Sequence, residues 1–141
     1  MADLVITPAN VIKGSVTAYP NLTATGIAGE TITAGQAVYI NASDSNKIYK
    51  ADANASSSSA AAVGIALHAA LAGQPVQYMT SGALTFGAIL TVGQYYVVSA
   101  TAGGIAPTAD LASGWYSTLL MWGYSTSVAI VNPIPTGVAI A

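Results

Sequence analysis

The chain of 141 residues contains one histidine, His68, and neither cysteine nor arginine. An imidazole is the side chain whose ordinary pKa lies nearest neutrality, so His68 is the first residue to weigh as a general base. It sits in an alanine-rich run after an expected strand with no identifiable partner, and reads as a half-buried histidine holding one hydrogen bond. Serines are so numerous that some serine falls near some aspartate in any fold, and no Gly-x-Ser-x-Gly elbow occurs. No catalytic residue is assigned and no enzymatic activity is expected.

One histidine without cysteine cannot make a zinc site within one subunit. Asp44-Ser-Asn46 and Asp52-Ala-Asn54 set carboxylate and amide oxygens two residues apart, a pairing that calcium could use. Both lack the glycine and distal glutamate of an EF-hand loop and read as Asx-turns, so no metal and no cofactor is expected. Asn21-Leu-Thr23, Asn41-Ala-Ser43 and Asn54-Ala-Ser56 satisfy the glycosylation sequon, at a frequency close to chance in a chain so rich in Asn, Ser and Thr.

The aromatic residues remain: Tyr19, Tyr39, Tyr49, Tyr78, Phe86, Tyr95, Tyr96, Trp115, Tyr116, Trp122 and Tyr124. Exposed rings can stack on sugars, but cores and subunit interfaces use the same residues more often. Trp115 and Trp122 are therefore read as core or interface.

Composition narrows the partners. Charged residues make up 6% of the chain, with five acids against three lysines, where an ordinary domain carries about 25%. Nucleic acid is not an expected partner, because affinity for it rests on many Lys/Arg–phosphate contacts. A membrane is not expected either: the best apolar stretch, 60–73, is shorter than the roughly 20 residues of a spanning helix and carries His68. No basic and apolar leader is visible at Met1-Ala-Asp-Leu4. A surface so poor in charge is weakly protected against association, which points to permanent burial of part of it.

The elements that must position these residues are strands. Clusters of β-branched and aromatic residues alternate with Gly, Ser, Asn and Asp, and no amphipathic helical period lasts beyond about two turns. The expected fold is all-β, a compact β-barrel or β-sandwich with an extended N-terminal arm and an apolar C-terminal tail. Expected strands cover 3–7, 14–19, 23–28, 37–41, 47–51, 63–67, 75–80, 82–86, 94–99, 114–118, 120–124 and 127–131. Residues 52–62 are expected as a loop with a helical turn beginning near Ser57. A phrase recurs at Ala34-Gly-Gln36, Ala72-Gly-Gln74 and Val92-Gly-Gln94, each time ahead of a β-prone run, and reads as a turn launching a strand. Its unequal spacing argues against a solenoid.

Three segments follow: an arm at 1–13, a β-rich domain at 14–131 and a tail at 132–141. Leu4, Val5, Ile6 and Pro8 in the arm, and Ile134, Val138 and Ile140 in the tail, join Trp115 and Trp122 as interface candidates. An apolar terminus left in water is costly, so each end is expected to dock on its own fold or on a neighbour.

The order of pieces resembles a family. Ala2-Asp-Leu-Val-Ile-Thr-Pro8, Gly29-Glu-Thr-Ile-Thr-Ala-Gly-Gln-Ala-Val-Tyr-Ile40, Lys47-Ile-Tyr-Lys-Ala-Asp52, Ala62-Val-Gly-Ile-Ala66 and Ala72-Gly-Gln-Pro-Val-Gln77 are similar to the small capsid decoration, or cement, proteins of tailed bacteriophages. Leu90-Thr-Val-Gly-Gln-Tyr-Tyr-Val-Val-Ser99 is similar to a segment of phage head or fibre proteins. The resemblance implies a non-enzymatic, often trimeric virion protein on the outer surface of the capsid, with the major capsid protein as partner. The low charge and the apolar tail depart from that pattern. The alternative reading is a head-fibre or tail-associated adhesin that binds host-surface glycan through exposed aromatics.

Overall fold

The repeated turn phrase sets where three strands begin. In the computed structural model, which describes residues 3–140, Gly35, Gly73 and Gly93 have φ of +90°, +88° and +79°. A left-handed residue at the third position of a four-residue turn favours glycine. Gln36, Gln74 and Gln94 close the turns with backbone bonds to the carbonyls of Thr33, Leu71 and Thr91. The Gln36 and Gln74 side chains also accept from the N–H of Thr33 (2.9 Å) and Leu71 (2.8 Å), which explains the glutamine in those two copies, whereas the Gln94 side chain donates to Tyr95 O and Thr108 Oγ1.

The elements are β1 (Ile12–Lys13), β2 (Leu22–Ile27), β3 (Ala37–Asn41), β4 (Lys47–Lys50), the single-turn helix α1 (Ser57–Ala60), β5 (Gly64–Ala66), β6 (Pro75–Thr85), β7 (Tyr95–Val98), β8 (Ile105–Pro107), β9 (Tyr116–Gly123) and β10 (Val128–Ala139). The protein is all-β. Its main path of eight antiparallel strands, β4-β3-β5-β6-β10-β9-β7-β8, curls into a half-barrel, and β1 and β2 add to β6.

Strand β6 is the hinge of the architecture. Residues 75–81 pair with β2, and Met79 and Tyr78 also with β5, whereas residues 82–85 pair with β10 and, at their end, β1. Between the halves Gly82 has φ +114°, and a Cβ there would stand 2.6 Å from Asn21 Cα. The first half joins the group around β3 and β4, where Ala28 bridges back to Ile48. That group encloses a small core of Ala28, Ile32, Val38, Ile48, Val76 and Tyr78. The larger core contains Ile65, Met79, Leu84, Phe86, Ile105 and Leu120. Loop 99–104 ties the open side of the half-barrel: Ala53 N–H donates to Ser99, Gly103 N–H to Ala51 and Ala37 N–H to Gly103.

The expected strands 75–80 and 82–86 are one strand, as are 114–118 and 120–124; glycine and short polar residues mark bends here, not ends. Segments 3–7 and 14–19 are not strands. The first makes one backbone bond to a sheet edge, Leu4 N–H to Ile105 O at 2.8 Å, before Pro8 opens a 3-10 turn. The second is a loop held by the Asn21 side chain, which donates to Gly14 O (2.7 Å) and accepts from Ala83 N–H (2.9 Å). Strand β8, three residues ending in proline, has no counterpart among the expected strands.

Most of the expected tail is the outer half of β10. Past Val131 this strand is paired by β9 alone. On a free edge the missing N–H groups of Pro133 and Pro135 cost no ladder bond, and the register shift between Val131 and Ile134 absorbs the geometry. Positions 1, 2 and 141 of the expected arm and tail lie outside the described residues. The helical turn expected near Ser57 is α1, capped by a reciprocal Ser56–Ser59 box.

Candidate interaction surfaces

Two surfaces gather the residues singled out in the sequence. At one, Trp115 lies beside Asp3 of the first described segment and pairs with Ile140 of the last. Asp3 Oδ1 accepts from Ser99 Oγ at 2.7 Å, and Leu4 and Ile6 pack against the main core. Between them Val5 points to water with 84% of its surface exposed, as extended alternation requires. Pro8 is also exposed. Trp115 packs against the same core, and its carbonyl accepts from Ile140 N–H at 2.8 Å while Gly114 N–H donates to Ile140 O. Asp3, Ser99, Asp110 and Trp115 line one shallow depression. Val138, two residues before Ile140, is exposed. The ends thus leave Val5, Pro8 and Val138 outward, while their own fold covers Leu4 and Ile6.

The second surface is centred on Trp122, placed in β9 opposite Tyr95 of β7 and Ile130 of β10. A register shift against β7 makes Leu120 an extra residue, so Leu120 and Met121 both enter the main core and Trp122 is left on the outer face. The loop that Asn21 clamps lays Tyr19 on it. The Tyr19 and Trp122 ring centroids are 5.9 Å apart at 81°, an edge-on contact. Tyr124, past the end of β9, stands 5.9 Å from Trp122 and 6.3 Å from Tyr19. Tyr19, Tyr95, Tyr124 and Ile134 are exposed around it.

Apart from Asp3 and Asp110 at the first surface, most of the charges lie elsewhere. Five of the chain's eight acids and lysines, Glu30, Asp44, Lys47, Lys50 and Asp52, gather at the β3–β4 hairpin and its flanks. Lys47 and Asp44 approach to 3.8 Å and Lys50 and Glu30 to 3.9 Å, and Glu30 also accepts from Lys50 N–H. The Tyr49 hydroxyl donates to Asp44, and this bond leads the causes that raise the Tyr49 pKa. Burial, then the nearby Glu30 and Asp52, raises that of Tyr39.

His68 is exposed, and both its ring nitrogens are engaged: Nε2 accepts from Gln77 N–H at 3.0 Å and Nδ1 faces Ala69 O at 2.9 Å. Two main-chain partners hold it where one was expected. Asp52 Oδ1 accepts from Asn54 N–H, the Asx-turn read from the sequence, whereas Asp44 is drawn to Tyr49 and Lys47. Among the described residues no three His, Asp or Glu converge on a metal position, and no helix is long and apolar enough to cross a membrane.

The signal that sequence reasoning missed is Asn21, read only as part of a sequon, whose amide seats Tyr19. Comparison with known proteins finds no family model and no curated sequence that matches the chain.

Proposed function

We propose that this chain is a structural virion protein: a capsid decoration protein that binds the outer surface of a phage head as a homotrimer and bridges neighbouring copies of the major capsid protein. The observation that carries this reading is that Val5, Pro8 and Val138, apolar residues of the first and last described segments, are all turned outward, while five of the eight charged residues gather at the β3–β4 hairpin and its flanks. Such a division suits a molecule with one end seated on a neutral partner and another in water.

The work done is thermodynamic. A protein that binds the assembled shell and not its separated subunits stabilises the shell by mass action. Burying a valine-sized side chain contributes roughly 1.5 kcal/mol before ordering costs, while an exposed ion pair contributes about 0–1 kcal/mol. Apolar contact therefore leads, and attachment is expected to change little with sodium chloride.

The test is binding of the purified protein to capsid shells that lack it. Val5→Asp, at a position whose side chain supports nothing in its own fold, is expected to weaken binding by about tenfold, and Lys47→Ala to leave it unchanged. Equal binding by Val5→Asp, or recovery of the protein with tails instead of heads, overturns the reading. Sedimentation that finds a stable monomer at micromolar concentration overturns the trimer.

A further inference from the structure

We infer that the Trp122 face is a binding site for a neutral saccharide chain, which stacks on the Tyr19, Trp122 and Tyr95 rings and is held by the hydrogen-bonding groups around them. The inference stands apart from the capsid reading, since it concerns Trp122 and its surroundings and not Val5, Pro8 or Val138.

Two depressions flank the Trp122 indole, and both reach Asn132. One, of about 270 Å³, is lined by Tyr95, Leu119, Met121, Trp122, Asn132 and Ile134. The other, of about 310 Å³, runs between Trp122 and the Tyr19–Pro20 loop over Ile130 and Val131. Each lies near the small end of ligand pockets, which run from about 300 to 1,000 Å³. A run of sugar units crossing the indole matches two small adjoining depressions better than one large ligand does.

Neither depression has a charged lining residue. A neutral ligand is complementary to that surface, whereas a nucleic acid strand would need lysine or arginine along its backbone besides rings for its bases. Strand addition by a peptide is disfavoured too, because Pro133 and Pro135 remove donors from the adjoining free edge of β10.

The polar groups separate a glycan from a dry protein contact. Among the described residues, no hydrogen bond engages the Trp122 Nε1–H, the Asn132 amide or the hydroxyls of Tyr19, Tyr95 and Tyr124. An apolar partner pressed on this face would strip water from all of them without replacement, leaving each group unpaired. A pyranose carries an apolar C–H face beside a rim of hydroxyls, so it covers the rings and satisfies the rim together. The amide of Asn132 supplies both a donor and an acceptor between the two depressions.

The experiment titrates the full-length protein with cellohexaose, maltohexaose and chitohexaose, following tryptophan emission and heat. Saturable binding of at least one hexaose is expected. Trp122→Ala should weaken it by about tenfold or more, and Tyr95→Ala by a smaller factor. Asn132→Leu, an exposed change that keeps every ring, should also weaken it, whereas Trp115→Phe should not. Circular dichroism and sedimentation accompany each variant. The inference is overturned if none of the three hexaoses binds, or if binding survives both Trp122→Ala and Asn132→Leu. It is equally overturned if Trp122→Ala changes self-association in place of hexaose binding, which would assign the face to a second copy of the chain.

Discussion

Trp115 and Trp122 stand seven residues apart at the two ends of one strand, roughly 20 Å by the rise of extended chain. Their surroundings differ in kind. Trp115 is wedged against the main core, and the last described residue of the chain closes over its backbone. Trp122 touches other exposed rings, and its indole N–H has no partner among the described residues. Residue type alone therefore says little about role. The first tryptophan packs on the core and pairs with the last described residue, and the second faces outward on a platform that the fold builds without needing it.

The largest effect should come from breaking the structural member of the pair. Trp115→Ala opens a void against the main core, beside Ile140, and is expected to cost about 3 kcal/mol. Trp122→Ala loses ring contacts worth about 1 kcal/mol. Urea unfolding of the two variants measures the difference, and an equal loss of midpoint would erase the distinction.

Next in size is Gly82→Ala. The new Cβ would stand 2.6 Å from Asn21 Cα at a residue whose φ is +114°. The expected cost is about 2 kcal/mol. The loop that seats Tyr19 should shift with it, changing Trp122 emission and leaving that of Trp115 as it was. Single-tryptophan versions, with the other replaced by Phe, separate the two signals.

A smaller effect sharpens the contrast with the charged hairpin. Tyr49 has a raised pKa, led by its hydrogen bond to Asp44, so the folded state favours the protonated phenol. The stability this supplies is fully present below the ordinary tyrosine value of 10.0 and is lost as pH rises through the raised folded value. Tyr49→Phe should lower the urea midpoint slightly near neutrality and flatten the alkaline decline. An unaltered alkaline decline would show that the bond to Asp44 does not matter to the fold.

How much of this was legible in the sequence depends on whether the signal was local. The Ala/Val-Gly-Gln turns were legible because three residues contain their whole physics: a left-handed glycine and a glutamine that closes the turn. The β3–β4 hairpin was legible from alternation around a polar loop. By contrast, Pro133 and Pro135 read as strand breakers, because only the sheet order reveals that β10 has a free edge there. The arm's alternation was visible, yet which of Leu4, Val5 and Ile6 faces inward depends on where β8 lies, and β8 is too short to announce itself. Trp122 was singled out by its residue type alone. Its companions Tyr19 and Tyr95 come from distant segments, brought together by Asn21 and by strand pairing that no local pattern encodes.

The central claim of the proposed function is that the surface bearing Val5, Pro8 and Val138 seats the molecule on a capsid while the Trp122 face stays open. Hydroxyl-radical footprinting of the protein free and bound to shells of the major capsid protein tests it most directly. The account predicts loss of labelling at Val5, Pro8 and Val138 on binding, with Tyr19, Trp122 and Tyr124 labelled as in the free protein. Protection of Trp122 with Val5 still labelled, or no protection anywhere, would contradict it.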